Sequence, residues 1–221
     1  MLELVRGGLP SLPLSVSVFL LGTHDFDPTF LDALPFPVRR VGNGGDTIHS
    51  RAAFLAAVRS EGFDYVALFE SSGMYKGEDL VGLLSQALPG SLAAVWGSRR
   101  LSVRDIEASL RMRYRKNRLM GAISALGSHA LSLLFLLLYG CYVSDTLSGA
   151  RVVRSRYLLE AGFGPTPERT NQRLLSTILR QEADILETPV QFLPLSPARV
   201  RRTTVASGLR SLLSILWWRI K

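Results

Sequence analysis

Apolar residues along this chain fall into short runs separated by turn-forming residues, and the runs alternate between strand-like and helix-like spacing. Residues 15–21, SVSVFLL, are β-branched and aromatic and lead into Gly22-Thr23-His24-Asp25, the pattern of a strand ending in a polar loop. A short helix is expected at 28–34, stopped by Pro35 and Pro37 before a second short strand, VRRV, at 38–41. Gly42-Asn43-Gly44-Gly45 is a tight loop. Asp46 or Thr47 can then cap a helix that runs to about Ser60, with Ala52, Leu55, Ala56 and Val58 on its apolar side and Gly62 at its end.

YVALFE, 65–70, is almost wholly apolar, as expected of a strand buried on both faces of a parallel sheet. A helix over 78–88 stops at Pro89-Gly90, and LAAVWG, 92–97, gives another buried strand. Strand and helix alternating at this pace predict a doubly wound α/β sheet in one domain spanning 1–221. Ligands of such sheets bind beyond the carboxyl ends of the strands, which here means the loops 22–28, 42–46, 70–76 and 97–104.

Beyond Ser98 the character changes. Arg99, Arg100, Arg104, Arg111, Arg113, Arg115, Lys116 and Arg118 cluster directly before residues 119–143, which contain no acid, Lys or Arg. By length this stretch spans a bilayer, lies in the interface or packs in the core. Serines, glycines and His129 interrupt it and favour the last two. A final helix over 203–221 has Leu209, Leu212, Leu213, Leu216, Trp217 and Ile220 at helical spacing with Arg210, Arg219 and Lys221 among them. Aromatic rings beside cations suit headgroup depth, with packing on the core as the alternative.

The charge balance sharpens this picture. Twenty-six Lys and Arg against 18 Asp and Glu give +8, mostly from Arg, whose planar fork matches phosphate oxygens. Phosphate ligands, an acidic membrane and nucleic acid all fit that excess. Nucleic acid fits least, because no basic-aromatic stacking platform is present. Cys141 is the single cysteine, so no intrachain disulfide can form. His24, His49 and His129 lack metal-ligand spacing. The N-terminus has no cationic start running into an apolar core with a cleavage site, so secretion is not expected.

The stretch YVSDTLSGARVVRSRYL, 142–158, is the most informative. Asp145 is followed by Ser148-Gly149 and then Arg151, which can place a carboxylate, a hydroxyl and a guanidinium around one phosphate-bearing ligand. Taken alone it also reads as a capped helix start with a surface arginine. It resembles the D-x-x-S-G-x-R signature of family 2 glycosyltransferases, in particular the polyprenyl- and dolichol-phosphate hexosyltransferase branch. Residues 43–80, WGSRR at 96–100 and ILETPVQFLPLSPARVRRTT at 185–204 are similar to further segments of that family in the same order.

The resemblance implies a GT-A-like domain on the cytoplasmic face of the membrane, moving a hexose from a nucleotide sugar to a lipid phosphate or another membrane-associated acceptor. It implies that Asp145, Ser148 and Arg151 line the catalytic site, and that Arg99 with Arg111, Arg113, Arg115 and Arg118 meets phosphates. It also implies donor contacts from Asp25, Asp27, Asn43, Glu70 and Ser72. The family's Asp-x-Asp, which holds Mg2+ or Mn2+ under the diphosphate, is replaced by Glu70-Ser71-Ser72, so the metal would rest on Glu70 and Ser72 with about one full charge less. Fourteen residues precede the strand at 15–21, too few for a further strand and crossover helix, so a reduced nucleotide pocket is expected. Two functional classes therefore stand: a divergent transferase, and a catalytically degenerate relative that binds membrane, lipid phosphate or a partner subunit.

Overall fold

In the computed structural model of the chain the described residues are 15–21, 36–41, 47–70, 74–101, 118–193 and 205–220. Two short strands, β1 (Val18–Leu21) and β2 (Val38–Val41), pair in parallel. Four longer ones, β3 (Tyr65–Phe69), β4 (Ala94–Ser98), β5 (Ala150–Arg154) and β6 (Ile185–Pro189), form a sheet in the order β3-β5-β4-β6. β4 and β6 are parallel, while β5 runs antiparallel to both β3 and β4. The carboxyl ends of β3, β4 and β6 therefore meet the amino end of β5 along one edge.

Helices cover both faces. On one, α2 (Gly77–Ala87) lays Leu83 and Ala87 on Val95, Ala150, Val152 and Val190. The other face is the larger core, built on Val66, Ala94, Trp96 and Val153. It is covered by α1 (Thr47–Glu61), α3 (Arg118–Tyr139), α4 (Ser155–Ala161), α5 (Pro167–Arg180) and α6 (Val205–Ile220). Local chemistry places the helix starts. The Asp79 carboxylate accepts the Lys76 N–H at 3.2 Å at the head of α2, and Thr166 Oγ1 accepts the Arg169 N–H at 3.3 Å before Pro167 at the head of α5. Gly140, at φ +70°, closes α3 in the left-handed conformation that glycine adopts without penalty.

The expected strands at 15–21, 38–41, 65–70 and 92–97 and the helices at 47–60, 78–88, 119–143 and 203–221 all form, within a few residues. The helix expected at 28–34 lies outside the described residues. Two expectations need correction. β3 is not buried on both faces: Val66 is, but Ala67 is exposed, because β3 stands at the edge of the four-stranded sheet. β4 takes the doubly buried place, with all five residues inside. On α1 the inward positions are Ser50, Phe54 and Val58, and Ala52 and Ala56 face out. Burying an alanine yields little, whereas the Phe54 ring packs against Phe19 and Phe163 at centroid distances of 5.2 and 6.0 Å. The expected doubly wound, mainly parallel α/β sheet forms: β3, β4 and β6 share one direction, and β5 alone is reversed by the tight turn that sends it back between β3 and β4.

No described helix is long and apolar enough to cross a membrane. α3 instead buries Leu131, Ser132 and Phe135, and α6 buries Ser211 and Ile215 while Leu209, Leu213, Leu216, Trp217 and Ile220 remain exposed.

Gly97 marks the tightest point of the sheet. A Cβ there would sit 2.7 Å from Val190 Cγ1 and 2.8 Å from the Ala150 carbonyl oxygen. The main-chain oxygen belongs to the central ladder and has no room to retreat. Gly97→Ala is expected to lower stability by about 1–3 kcal/mol, read as a fall in the urea midpoint. A midpoint equal to wild type would mean that β4 can shift away from β5.

Candidate functional site

Everything converges on the end of β4. Alternation along the strand turns Trp96 and Ser98 toward the larger core, and the turn 144–149 lies against them before entering β5. Trp96, fully buried, donates its indole N–H to the Asp145 main-chain oxygen at 2.8 Å. Ser98 Oγ and Ser144 Oγ share a hydrogen at 2.7 Å. Glu187 lies beside Trp96 in the β4–β6 register. Its carboxylate accepts the Ser144 N–H at 2.8 and 3.0 Å, the Ser144 hydroxyl at 2.8 Å and the Asp145 N–H at 3.3 Å.

From the other side Asn171, on the inner face of α5, donates its amide to the Ser148 oxygen at 2.8 Å and to the Thr146 oxygen at 3.2 Å. The turn is thus gripped from two elements distant in sequence.

Asp145 faces Arg99. The guanidinium donates through Nε at 2.6 Å and Nη2 at 2.7 Å to the two carboxylate oxygens, and the Arg99 backbone N–H adds a third bond at 3.1 Å. Burial opposes the charge on Asp145, but Arg99 and its hydrogen bonds outweigh it and hold the carboxyl below the usual range. Arg99 is held above its ordinary value for the reciprocal reason, against its own burial. The guanidinium also lies over the Phe192 ring, 4.9 Å from the centroid. Arg100 turns toward α3 and donates to Ser128 Oγ.

Arg151 is buried in a different way. It lies 5.5 Å from the Trp96 ring centroid and donates to the Ser148 oxygen at 2.9 Å, while its Nε has no partner. Among the described residues no carboxylate lies within ion-pair distance of it. Burial pushes the guanidinium down to about 10, with Tyr75 and Glu70 offsetting part of that, so it stays charged at neutral pH. Glu70, exposed at the end of β3, donates its N–H to the Gly149 oxygen at 3.0 Å. A Cβ on Gly149 would come within 2.8 Å of Glu70 Oε2 and 3.1 Å of Tyr75 Cε2, which explains the glycine. The Gly149 N–H donates to Tyr75 Oη at 2.9 Å. Burial raises that phenol, only partly countered by Arg99, so it remains protonated.

Sequence reasoning placed Asp145, Ser148, Arg151, Arg99 and Glu70 at one site, and the structure brings all five to this edge. Three of them are already engaged within the protein. Arg99 and Asp145 satisfy each other, so neither is an open group. The Ser148 hydroxyl is buried and accepts the Ala150 N–H at 3.2 Å inside its own turn. Asp25, Asp27, Asn43, Ser72, Arg111, Arg113 and Arg115 lie outside the described residues, and Arg118 is described only as the first backbone position of α3. Asn171 was missed. A signal for it existed: Asn171 shares a helical face with Leu174, Leu175 and Ile178, a place where a polar residue needs a reason.

For a divalent cation the described residues make a poor set. No group of three or more His, Cys, Asp or Glu among them can hold a metal ion. Asp145 is committed to Arg99 and Glu187 to the turn amides, which leaves Glu70 with one carboxylate. Mg2+ or Mn2+ does not fit that set of described residues.

No family model matches the chain, and no curated protein matches it in sequence. Among solved structures it is similar to glucosyl-3-phosphoglycerate synthase from Mycobacterium tuberculosis, in complex with Mn2+, UDP-glucose and phosphoglyceric acid. The identity is 14%, the TM-score 0.50, and the likeness covers 99% of this chain and 84% of that one. At that identity the likeness speaks for the fold alone, a mixed α/β architecture that this chain shares with that synthase.

Proposed function

We propose that this chain transfers a hexose from a nucleotide sugar to a phosphate-bearing acceptor, in the manner of an inverting family 2 glycosyltransferase, with a polyprenyl phosphate or other lipid phosphate as the acceptor. The observation that carries the reading is Arg151: a buried, charged guanidinium without a carboxylate partner among the described residues, at the carboxyl edge of the parallel strands. A buried cation is costly unless paired, and an anionic ligand supplies the missing charge. The D-x-x-S-G-x-R pattern that ends in Arg151 supports the lipid-phosphate branch, and the GT-A-like fold supports a nucleotide-sugar donor.

In the proposed reaction an acceptor phosphate oxygen attacks the anomeric carbon from the face opposite the nucleotide. The new carbon–oxygen bond forms as the bond to the diphosphate breaks, and the electron pair leaves with the nucleoside diphosphate. An ionised phosphate needs no general base, so positioning and charge stabilisation by arginine carry the rate. Asp145 in this scheme holds Arg99 in place rather than taking a proton. Among the described residues Glu70 is the carboxylate free to meet a sugar hydroxyl.

A second reading, a degenerate relative that binds without transferring, is favoured by the commitment of Asp145 to Arg99, which among the described residues leaves Glu70 as the one uncommitted carboxylate at this edge. Calorimetric titration with UDP- and GDP-sugars, with and without Mg2+ or Mn2+, separates the two. Saturable binding followed by transfer to a polyprenyl phosphate is the expected result. Absence of any nucleotide binding to folded protein would leave the second reading standing.

A further inference from the structure

Two helices that pack on one another, α3 and α6, each turn an apolar stripe away from the core. On α3 Leu126, Leu133 and Leu137 have 72, 51 and 80% of their surface in solvent. On α6 the values for Leu213, Trp217 and Ile220 are 57, 62 and 87%. Residues 133 and 137, like 213, 217 and 220, recur at three- and four-residue spacing and so share a side of their helix. Isolated exposed leucines are normal on any protein; continuous stripes on neighbouring helices are not.

The charges around the stripes identify the occupant. Neither α3 nor α6 contains an Asp or a Glu. Arg210 is exposed one turn before Leu213, and Arg219 stands between Trp218 and Ile220. The Arg219 guanidinium donates to the Leu138 oxygen at 3.0 Å and lies over the Tyr139 ring, which ties the carboxyl ends of the two helices together. Leu137 and Ile220, the most exposed members of the stripes, are the sequence neighbours of the two residues that this bond joins. Aliphatic side chains, an exposed tryptophan and arginines without acids match the boundary between acyl chains and anionic headgroups, and the net charge of +8 draws the chain toward such a surface.

We propose that α3 and α6 form a docking face for an anionic lipid bilayer, lying in the headgroup boundary without crossing it. The inference stands apart from sugar transfer and holds for either reading of the catalytic edge.

Vesicle sedimentation and tryptophan fluorescence test it on the full chain, using phosphatidylcholine with and without phosphatidylglycerol. The protein is expected to pellet with anionic vesicles, to bind at least about tenfold more weakly to neutral ones or in high salt, and to shift its emission to the blue. Trp96 is buried and serves as an internal constant. The double variant L213S/W217S is expected to lose about tenfold or more in vesicle binding with its urea midpoint and nucleotide-sugar binding unchanged. Arg210→Gln is expected to narrow the preference for anionic over neutral vesicles. Native-like protein that stays in the supernatant would overturn the proposal. So would sedimentation equilibrium of a dimer that L213S/W217S converts to monomer, because a second copy would then cover the face.

Discussion

Asp145→Ala is expected to destabilise the protein by about 3 kcal/mol, because it leaves the Arg99 guanidinium buried against Phe192 without its counter-charge. Breaking a buried pair by removing one partner costs roughly 3–5 kcal/mol. The lower end applies here because the Arg99 side chain keeps 17% of its surface in solvent. The main-chain oxygen of residue 145 still receives the Trp96 indole, so the loss belongs to the carboxylate rather than to the turn. Arg99→Met in the same background is expected to restore most of the loss, since both charges then leave together. Urea unfolding of the four proteins forms the double-mutant cycle, and additive effects would show that the pair is not coupled.

The pH dependence follows from the same pair. The folded carboxyl titrates below its unfolded value of about 3.9, so its contribution is complete above that value. It is lost as pH falls through the lower folded value. The gap between wild type and Asp145→Ala is therefore expected to be constant from neutral pH down to about 5 and to close in stronger acid. A gap that instead closed on going to alkaline pH would contradict the assignment.

Arg151→Met is expected to abolish transfer, by about a hundredfold or more, while making the protein more stable. The two effects share one cause. A guanidinium enclosed by Trp96 and the turn, without a carboxylate, pays for its charge with lost hydration. Methionine fills similar space without that cost. The Ser148 oxygen keeps the Asn171 amide after Arg151 is gone, so the turn loses one bond and keeps another. A gain of about 1–2 kcal/mol corresponds to roughly 2–8 °C in melting temperature for a chain of this size. Calorimetric melting reads the stability, and a transfer assay with inorganic phosphate titration beside it reads the loss of activity and of anion binding. A less stable Arg151→Met would mean that the charge is already balanced within the protein, and the anion-binding reading would fall with it.

Much of the architecture was legible because the elements announce themselves locally. SVSVFLL, YVALFE and LAAVWG are apolar beyond what a loop tolerates, and Pro89-Gly90 and Gly62 stop the helices where chain geometry requires. The segment that carries the site, 142–158, was also legible as chemistry, since Asp145, Ser148, Gly149 and Arg151 do gather with Arg99 and Glu70. α5 was not. Leu174, Leu175, Ile178 and Leu179 do recur at helical spacing, but Thr170, Asn171, Gln172, Ser176 and Thr177 are buried beside them, and burial of polar side chains is decided by packing rather than by periodicity. β5 was not expected as a strand either, and ARVVR would look the same in a parallel or an antiparallel ladder.

Composition and local pattern were thus enough for an alternating α/β chain, a net positive charge and a motif that joins a carboxylate, a hydroxyl and a guanidinium, all of which depend on residue type and near-neighbour spacing. Folding alone decided which arginine is open. Arg99 and Asp145 are 46 residues apart, Ser144 and Glu187 are 43 apart, and Ser148 and Asn171 are 23 apart. Contacts at such separations are set by how β4, β5, β6 and α5 stack, and a local reading cannot assign them. That stacking spends the charge of Arg99 on Asp145, leaves the charge of Arg151 unspent, and turns the leucines of α6 outward around a buried Ile215.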